Sequence, residues 1–246
     1  GEIARRMAEF SQEQGGFLTY DDLANFRVRL EEPVISSYRD CVVASCGPWS
    51  QGPVVNQALA LLENFDLPAM GHNSADYIHT VIEALKLAFA DRERYYGDPE
   101  YVDVPLEGLL SPEYARERAR EIDPTRASPG MPRPGTPRRS TSDGSGPPRA
   151  TPDAPAQPGP WPLDTSYLCV ADADGNLFSC TPSDSARETP MVPELGLIIS
   201  PRGSQSWLDP DHPSALEPGK RPRLTPNPAL VFRDGRPFMA FGTPGG

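Results

Sequence analysis

A proline-rich tract divides this chain into two parts with different patterns. Twelve prolines fall between Pro124 and Pro162, and Gly, Ser, Thr and Arg fill most of the other positions. Such a segment buries too little apolar surface to offset the entropy lost on ordering, so we predict a flexible, partly polyproline linker over residues 124–164. PxxP spacings occur in it, as they do by chance among so many prolines. A protein that interacts through its proline tract stays open as a minor interpretation.

The 123 residues before the tract read mostly as helix. Apolar residues recur there at helical spacing, and capping residues or glycines bound the segments, with Thr19 and Asp22 spaced as a capping box. Along one predicted helix, five apolar side chains share a face: Ile78, Val81, Ile82, Leu85 and Phe89. The predicted helices cover residues 2–14, 19–26, 53–64, 74–96 and 112–122, and two short strands are predicted within 34–46.

After the tract, the pattern becomes that of strands. Two apolar-alternating runs, 166–172 and 176–182, flank a turn-rich tetrapeptide and predict a hairpin. Further strands are predicted at 195–199, 229–233 and 237–242. Helices before a break and strands after it indicate an α+β protein.

Charge and hydropathy exclude several kinds of partner. The formal net charge is −11, whereas nucleic-acid binding requires a basic face, so no nucleic-acid partner is expected. The sequence has no run of about 18 apolar residues, so no membrane span is expected in this chain. It begins with Gly1-Glu2-Ile3 and ends on two glycines after an apolar run. We therefore expect part of a longer protein, whose compartment the sequence leaves open.

No metal or cofactor is expected from the motifs. The three histidines are scattered, and neither HExxH nor Cys/His ligand spacing occurs. His79 and Glu83 share a helix face, but two groups do not close a site. Phosphate-binding glycine motifs and the GxSxG nucleophile elbow are also missing from the sequence. The four cysteines are too dispersed for a disulfide framework and are expected to be free thiols.

The start of the hairpin offers a candidate nucleophile. Thr165 begins a strand directly after the linker, and outward extension of a 172/177 pairing places it opposite Asp184 and beside Ser183. Cleavage of the Asp164–Thr165 bond would free an α-amine with a pKa of about 8. That amine can accept the proton of the hydroxyl on the same residue.

Two further groups complete this hypothesis. Ser183 would hydrogen-bond the Thr165 hydroxyl and orient it, and backbone N–H groups in Gly242–Gly246 would form an oxyanion hole. On these residues alone, a purely structural threonine at the start of a strand remains the alternative.

Five segments carry a family resemblance. In their order and spacing they resemble the γ-glutamyltranspeptidase family of N-terminal-nucleophile hydrolases. The segments are GGFLTYDDLANF (15–26), HTVIEALKLAFADRERYYGDPEYV (79–102), TSYLCVADADGNLFSCTPSD (165–184), PGKRPRLTPNPALVF (218–232) and GTPGG (242–246). The resemblance implies a four-layer αββα sandwich, of which this chain would be a fragment. It also implies a precursor that cuts itself before a threonine, then transfers the acyl group of a γ-glutamyl amide such as glutathione to water, an amino acid or a peptide.

The resemblance also assigns roles to residues. Thr165 matches the nucleophile, Ser183 the hydroxyl that supports it, and Gly245 and Gly246 the oxyanion-hole glycines. Cleavage would fall between Asp164 and Thr165. Residues 1–123 would then be the mostly helical C-terminal part of the large subunit, followed by the linker 124–164. Residues 165–246 would be the β-rich N-terminal part of the small subunit, and the two subunits would form a heterodimer.

The substrate-binding positions depart from the family pattern. Ser185 stands in place of an asparagine, Gln205 in place of an acidic residue that pairs with the substrate α-amine, and Leu224 and Thr225 in place of two serines. Arg202 is a candidate reader of a substrate carboxylate, because its planar fork fits that group. An ammonium group without a partner binds less well.

These departures leave alternatives open. The acyl donor is either a γ-glutamyl amide or another amide, as in a related acylase. An unprocessed, inert member that serves as a binding or structural protein is a further alternative. Away from the site, Asp91 and Arg92 are expected to form a structural ion pair, and Lys220-Arg221 to fix the loop before Leu224.

Overall fold

The computed structural model describes residues 1–138, 165–184 and 189–244. Within these ranges the helices are α1 (Glu2–Glu13), α2 (Tyr20–Asn25), α3 (Gly52–Leu62), α4 (Leu67–Met70), α5 (Ala75–Tyr95), α6 (Leu106–Leu109) and α7 (Pro112–Ala119). The strands are β1 (Val34–Tyr38), β2 (Cys41–Ser45), β3 (Leu168–Ala171), β4 (Leu177–Cys180), β5 (Met191–Val192), β6 (Leu197–Ile198), β7 (Ala229–Arg233) and β8 (Arg236–Phe241), with a 3₁₀ helix at Pro201–Gln205.

The predicted helices form where local signals favour them. The backbone N–H of Thr19 donates to the Asp22 carboxylate at 2.8 Å, and the Thr19 hydroxyl accepts from the Asp22 N–H at 3.2 Å, so the predicted capping box is confirmed. The Ser74 hydroxyl caps α5 by accepting from the N–H of Tyr77 at 3.1 Å. The short helices α4 and α6 and strand β5 were not predicted, because each is too short to show a period.

One four-stranded antiparallel sheet joins the two sides of the proline-rich tract. Its order is β1-β2-β7-β8, and Cys41 to Ala44 of β2 pair with Arg233 to Leu230 of β7. Helix α3 packs on β1 and β2 and also contacts α5 and α7, so a helical layer covers the sheet. The hairpin β3–β4 contacts β8 and β7. The site therefore lies on elements that the central sheet holds together.

The most buried face of α5 lies beside the predicted apolar face, three of whose five residues are partly buried against the core. Ile78 and Ile82, which share the predicted apolar face, are 45% and 46% exposed. Ala84, Leu87 and Ala88 are buried instead. Small alanine side chains allow the neighbouring helix α3 to approach closely, and this close packing decides which face is buried.

The hairpin register differs from the prediction by one residue. Leu168 pairs with Cys180 and Ala171 with Leu177, so Asp172 does not pair with Leu177. The reason is local: the Asp172 carboxylate accepts from the N–H groups of Asp174 and Asn176 at 3.0 and 2.8 Å, which draws Asp172 into the turn. Continuation of the observed register places Thr165 opposite Ser183, and the predicted pairing with Asp184 is wrong.

Residues 124–138, assigned above to a flexible linker, instead lie against α5 and α7. The backbone N–H of Ser128 donates to Glu83 at 3.1 Å, and Lys86 donates to the Ser128 carbonyl at 2.9 Å. Arg118 donates to the carbonyl of Arg133 at 3.0 Å. Polar side chains of α5 and α7 thus bind the backbone of this segment directly. Amino-acid composition alone does not predict such contacts. Residues 139–164 of the predicted linker lie outside the described residues.

Asp91 is the centre of this attachment. Its carboxylate accepts from Gln57 at 2.5 Å, from the Tyr114 hydroxyl at 2.8 Å and from the N–H of Gly135 at 2.7 Å. Burial raises its pKa, although Arg118, 3.6 Å away, opposes the shift. The expected Asp91–Arg92 ion pair is wrong, because Arg92 instead donates to the adjacent Glu93 at 2.5 Å.

Candidate active site

Two hydroxyl groups meet at the open end of the hairpin. The N–H of Ser166 donates to the Pro182 carbonyl at 2.9 Å, which extends the strand pairing beyond β3 and β4. Next to this bond, Thr165 Oγ1 lies 2.7 Å from Ser183 Oγ. Ser183 is buried, and Thr165 is partly buried. The sequence-predicted nucleophile and its predicted supporting hydroxyl are therefore in direct contact.

Arg202 joins this pair from the short 3₁₀ helix. Its Nη2 donates to Ser183 Oγ, and its Nη1 donates to Thr225 Oγ1 at 3.3 Å. Its Nε lies 3.9 Å from the Asp184 carboxylate, which in turn accepts from the Ser200 hydroxyl at 2.6 Å. The arginine predicted to read a substrate carboxylate is thus bound to the group that supports the nucleophile.

The other predicted substrate-binding positions flank Arg202. Gln205 Nε2 donates to Thr225 Oγ1 at 3.3 Å, while Gln205 Oε1 is buried and has no partner among the described residues. Leu224 is held through its backbone: its N–H donates to the Trp49 carbonyl and its carbonyl accepts from the Gln51 N–H, both at 2.9 Å. This pairing brings Thr225 into the cluster.

Four predicted site residues lie outside the described residues. They are Asp164 at the predicted cleavage site, Ser185 at a predicted substrate-binding position, and Gly245 and Gly246 at the predicted oxyanion hole. Their roles remain predictions. Gly242, at the start of the same glycine-rich segment, is described: a Cβ there would lie 2.5 Å from the ring of Tyr167. Close approach of Tyr167 therefore requires glycine at this position.

Ion pairs fix the loop that carries Thr225, as predicted for Lys220-Arg221. Arg221 donates to Asp98 through Nε at 3.2 Å and Nη2 at 2.9 Å. Burial acts to raise the pKa of Asp98, but the hydrogen bonds from Arg221 outweigh it, so the pKa lies below its usual value. Arg223 binds Glu93 through Nη2 at 3.0 and 2.8 Å. Lys220 donates to Glu217 at 3.4 Å, and its ammonium lies 5.7 Å from the centre of the Tyr101 ring across the tract.

His212, which no sequence motif distinguishes, is buried near Arg223. Its Nδ1 accepts from the N–H of Ser214 at 2.9 Å, and its ring stacks on Trp207 at 4.2 Å between centroids. Burial, and then the Arg223 charge, lower its pKa to about 4. The imidazole is therefore neutral near pH 7. Its position in the sequence does not distinguish it from the other two histidines. Its contacts with Ser214 and Trp207 do.

Neither a membrane helix nor a metal cluster is found in the described ranges. No helix there is both long enough and apolar enough to cross a membrane. No group of three or more His, Cys, Asp or Glu side chains is arranged there to hold a metal ion.

The α+β fold and its structural neighbours place the chain in the N-terminal-nucleophile hydrolase class. Within this class, the chain belongs to the gamma-glutamyltranspeptidase family, whose model matches residues 1–246. The predicted fold class is confirmed for a chain that spans part of that fold.

Three relatives illustrate the likeness. The chain is 34% identical over 248 residues to the glutathione hydrolase-like YwrD proenzyme of Bacillus subtilis, a match that covers 100% of this chain and 42% of that protein. It is 32% identical over 260 residues to the glutathione hydrolase proenzyme of Escherichia coli, covering 100% and 41%. The crystal structure of cephalosporin acylase from Bacillus halodurans superposes with a TM-score of 0.78 at 34% identity, covering 98% and 39%. The chain thus spans about two fifths of the length of these relatives.

Proposed function

We propose that the protein containing this chain is a self-processing amidohydrolase or acyltransferase with Thr165 as its nucleophile. The observation that carries the proposal is the 2.7 Å hydrogen bond between Thr165 Oγ1 and Ser183 Oγ. It supports an oriented hydroxyl on Thr165, three residues before β3, where a new N-terminus would place base and nucleophile on one residue.

Processing would proceed as an acyl shift at the Asp164–Thr165 bond. Thr165 Oγ1 attacks the Asp164 carbonyl carbon, the C–N bond breaks, and the departing nitrogen takes the hydroxyl proton to become the α-amine of Thr165. Water then hydrolyses the resulting ester, which releases the Asp164 carboxylate and restores the Thr165 hydroxyl. The product would be a heterodimer of the two cleaved subunits.

Turnover would repeat this chemistry on a substrate. The α-amine takes the proton from Oγ1 as Oγ1 bonds to the amide carbon, and it passes that proton to the leaving amine. Water or an acceptor amine then attacks the acyl ester and regenerates the hydroxyl. Backbone N–H groups at Gly245 and Gly246 would stabilise the tetrahedral oxyanion. No metal or cofactor takes part in these steps.

We infer that the acyl donor is a γ-glutamyl amide related to glutathione. The family, and the names of the Bacillus subtilis and Escherichia coli relatives, support this substrate class. Ser185, Arg202, Gln205, Leu224 and Thr225 would line the pocket for the glutamyl group.

A specific observation favours a second candidate, an acylase with a donor other than a γ-glutamyl group. At the position that the resemblance assigns to an acidic residue, the neutral Gln205 donates to Thr225. A glutamyl ammonium would lack a carboxylate partner at this position and would bind less well. The likeness to a cephalosporin acylase is in keeping with such a donor.

Hydrolysis of paired anilides by the full-length protein tests these alternatives. A strong preference for a γ-glutamyl anilide over an uncharged acyl anilide of similar size supports the first donor class, and the opposite preference supports the acylase. Thr165→Ala is the control, since it removes the nucleophile. Equal activity in this variant would overturn the assignment of Thr165.

A further inference from the structure

We propose that Arg202 is a positioning residue that acts on Thr165 through Ser183, and that it does not read a substrate carboxylate. The inference rests on the proposed function, because it requires Thr165 to attack a carbonyl carbon. It assigns to Arg202 a part in both self-cleavage and turnover.

Three groups form a continuous chain of hydrogen bonds. Arg202 Nη2 donates to Ser183 Oγ, which lies 2.7 Å from Thr165 Oγ1. By itself, a pair of hydroxyls leaves open which one donates. A guanidinium group has donors only, so the Ser183 oxygen accepts from it. The positive charge makes the Ser183 O–H a stronger donor and favours its donation to Thr165 Oγ1.

This direction is the one that a nucleophilic hydroxyl needs. A hydroxyl has one proton and two lone pairs. With one lone pair of Thr165 Oγ1 accepting from Ser183, its proton is left for the base and its other lone pair for the carbonyl carbon. As the proton leaves, negative charge grows on Oγ1, and the Ser183 donor stabilises it.

The arginine is held in place for this role. Its Nη1 donates to Thr225 Oγ1 at 3.3 Å, and its Nε lies 3.9 Å from Asp184. The side chain is 19% exposed. Nη1 and Nη2 thus both donate to hydroxyl groups of the protein, whereas the buried Nε has no hydrogen-bond partner among the described residues. With both terminal nitrogens engaged, the guanidinium is placed as a fixed donor, since two-point binding of an incoming carboxylate would need at least one of them free.

Self-cleavage separates the two roles of Arg202, because this reaction involves no bound substrate. The experiment measures the rate at which a chain beginning at Thr165 appears in the full-length precursor. Four proteins complete a double-mutant cycle: wild type, Arg202→Gln, Ser183→Ala and the double variant. Arg202→Gln is expected to slow cleavage about tenfold to a hundredfold, as for loss of a charged hydrogen bond. When residue 183 is already alanine, Arg202→Gln is expected to slow cleavage by a further factor of less than about three.

Conservative and matched variants complete the design. Arg202→Lys keeps the charge and one donor, so it is expected to slow cleavage less than Arg202→Gln and, once matured, to lower kcat with little change in KM. Arg116→Gln, at an exposed arginine paired with Glu113, is the control and should cleave at the wild-type rate. If circular dichroism shows that Arg202→Gln is unfolded, the cycle is run with Arg202→Lys.

Two results would overturn the inference: an Arg202 variant that cleaves at the wild-type rate, or equal slowing with and without Ser183. A rise in KM alone would return Arg202 to the role of carboxylate reader. These results differ from failure of the proposed function, in which the wild-type protein itself would not cut before Thr165.

Discussion

At the scale of residues, Gln205 is the position at which the proposed choice of acyl donor can be tested. Gln205 is nearly the same size as glutamate, and its amide already bonds Thr225, beside Arg202. Replacement of its buried, unpartnered Oε1 and its amide nitrogen by a carboxylate would change the charge of the site with little change in shape. The site therefore offers a direct test of what charge does to donor choice.

Gln205→Glu is expected to increase the preference for γ-glutamyl donors. The new carboxylate can pair with the glutamyl ammonium, so KM for a γ-glutamyl anilide should fall several-fold, while KM for an uncharged acyl anilide stays within about twofold. Steady-state kinetics of the full-length protein measures both. Gln14→Glu, at an exposed position, is the control. Equal changes for both anilides would show that Gln205 does not contact the ammonium.

His212 is expected to make stability depend on pH. Its pKa is lowered from 6.5 to about 4, so between these values the unfolded chain binds a proton that the folded protein does not. Stability therefore rises with pH across this window, by up to about 1.4 kcal/mol per unit, and falls as the pH drops toward 4.

His212→Asn tests this dependence because it keeps an acceptor for the Ser214 N–H but does not titrate. Its free energy of unfolding should change less steeply between pH 4.5 and 6.5, a window that lies inside the two pKa values. Urea unfolding of the uncut Thr165→Ala protein, followed by tryptophan fluorescence, measures the slope, with Trp207 as a stacked reporter. Identical slopes with and without the substitution would refute a neutral His212.

The sequence predicts the two hydroxyl groups of the site but not the guanidinium group that donates a hydrogen bond to one of them. Thr165 and Ser183 could be paired because a hairpin relates them by position. Arg202 was identified only as a candidate ligand for substrate, since no local pattern indicates which group a guanidinium contacts across a loop. His212 was missed for the same reason.

At the scale of elements, period and capping predicted most helices, while long-range contacts decided the rest. The hairpin was predicted, but its register was wrong by one residue because Asp172 binds two backbone N–H groups within the turn. The proline-rich composition predicted flexibility from residue 124, yet 124–138 lie on α5 and α7. Hydrogen bonds from a few polar side chains to the backbone produce no apolar periodicity from which this packing could be predicted.

Asp91→Asn is expected to loosen that attachment and to destabilise the protein by about 3 kcal/mol, as for other broken buried ion pairs. Its amide would turn a donor toward groups that themselves donate, and it would leave Arg118 without its charge partner. Urea unfolding measures the loss, and amide hydrogen exchange at Gly135, whose N–H donates to Asp91, should become faster.

Glu113→Gln is the matched control, because Glu113 forms an exposed ion pair with Arg116 and should contribute less than about 1 kcal/mol. An Asp91→Asn protein as stable as this control, with unchanged hydrogen exchange at Gly135, would contradict a role for Asp91 in holding this segment.

At the scale of the whole molecule, the parts before and after the tract share one structure. Strand β2 pairs with β7 across the tract, and Asp98–Arg221 and Glu93–Arg223 add ion pairs between the same parts. Cleavage before Thr165 would break none of these contacts. The sequence could predict each strand but not this pairing, because partners almost two hundred residues apart carry no local signal of register.

The proposed function requires Thr165 to be an active nucleophile that becomes a new N-terminus. The most direct measurement is an intact-mass spectrum of the full-length protein after gel filtration, with N-terminal sequencing of any smaller chain and Thr165→Ala as the uncut control. The prediction is two chains that elute together, one of which begins at Thr165. A single uncut chain after long incubation would contradict it, and an inert, unprocessed protein would then be the better description.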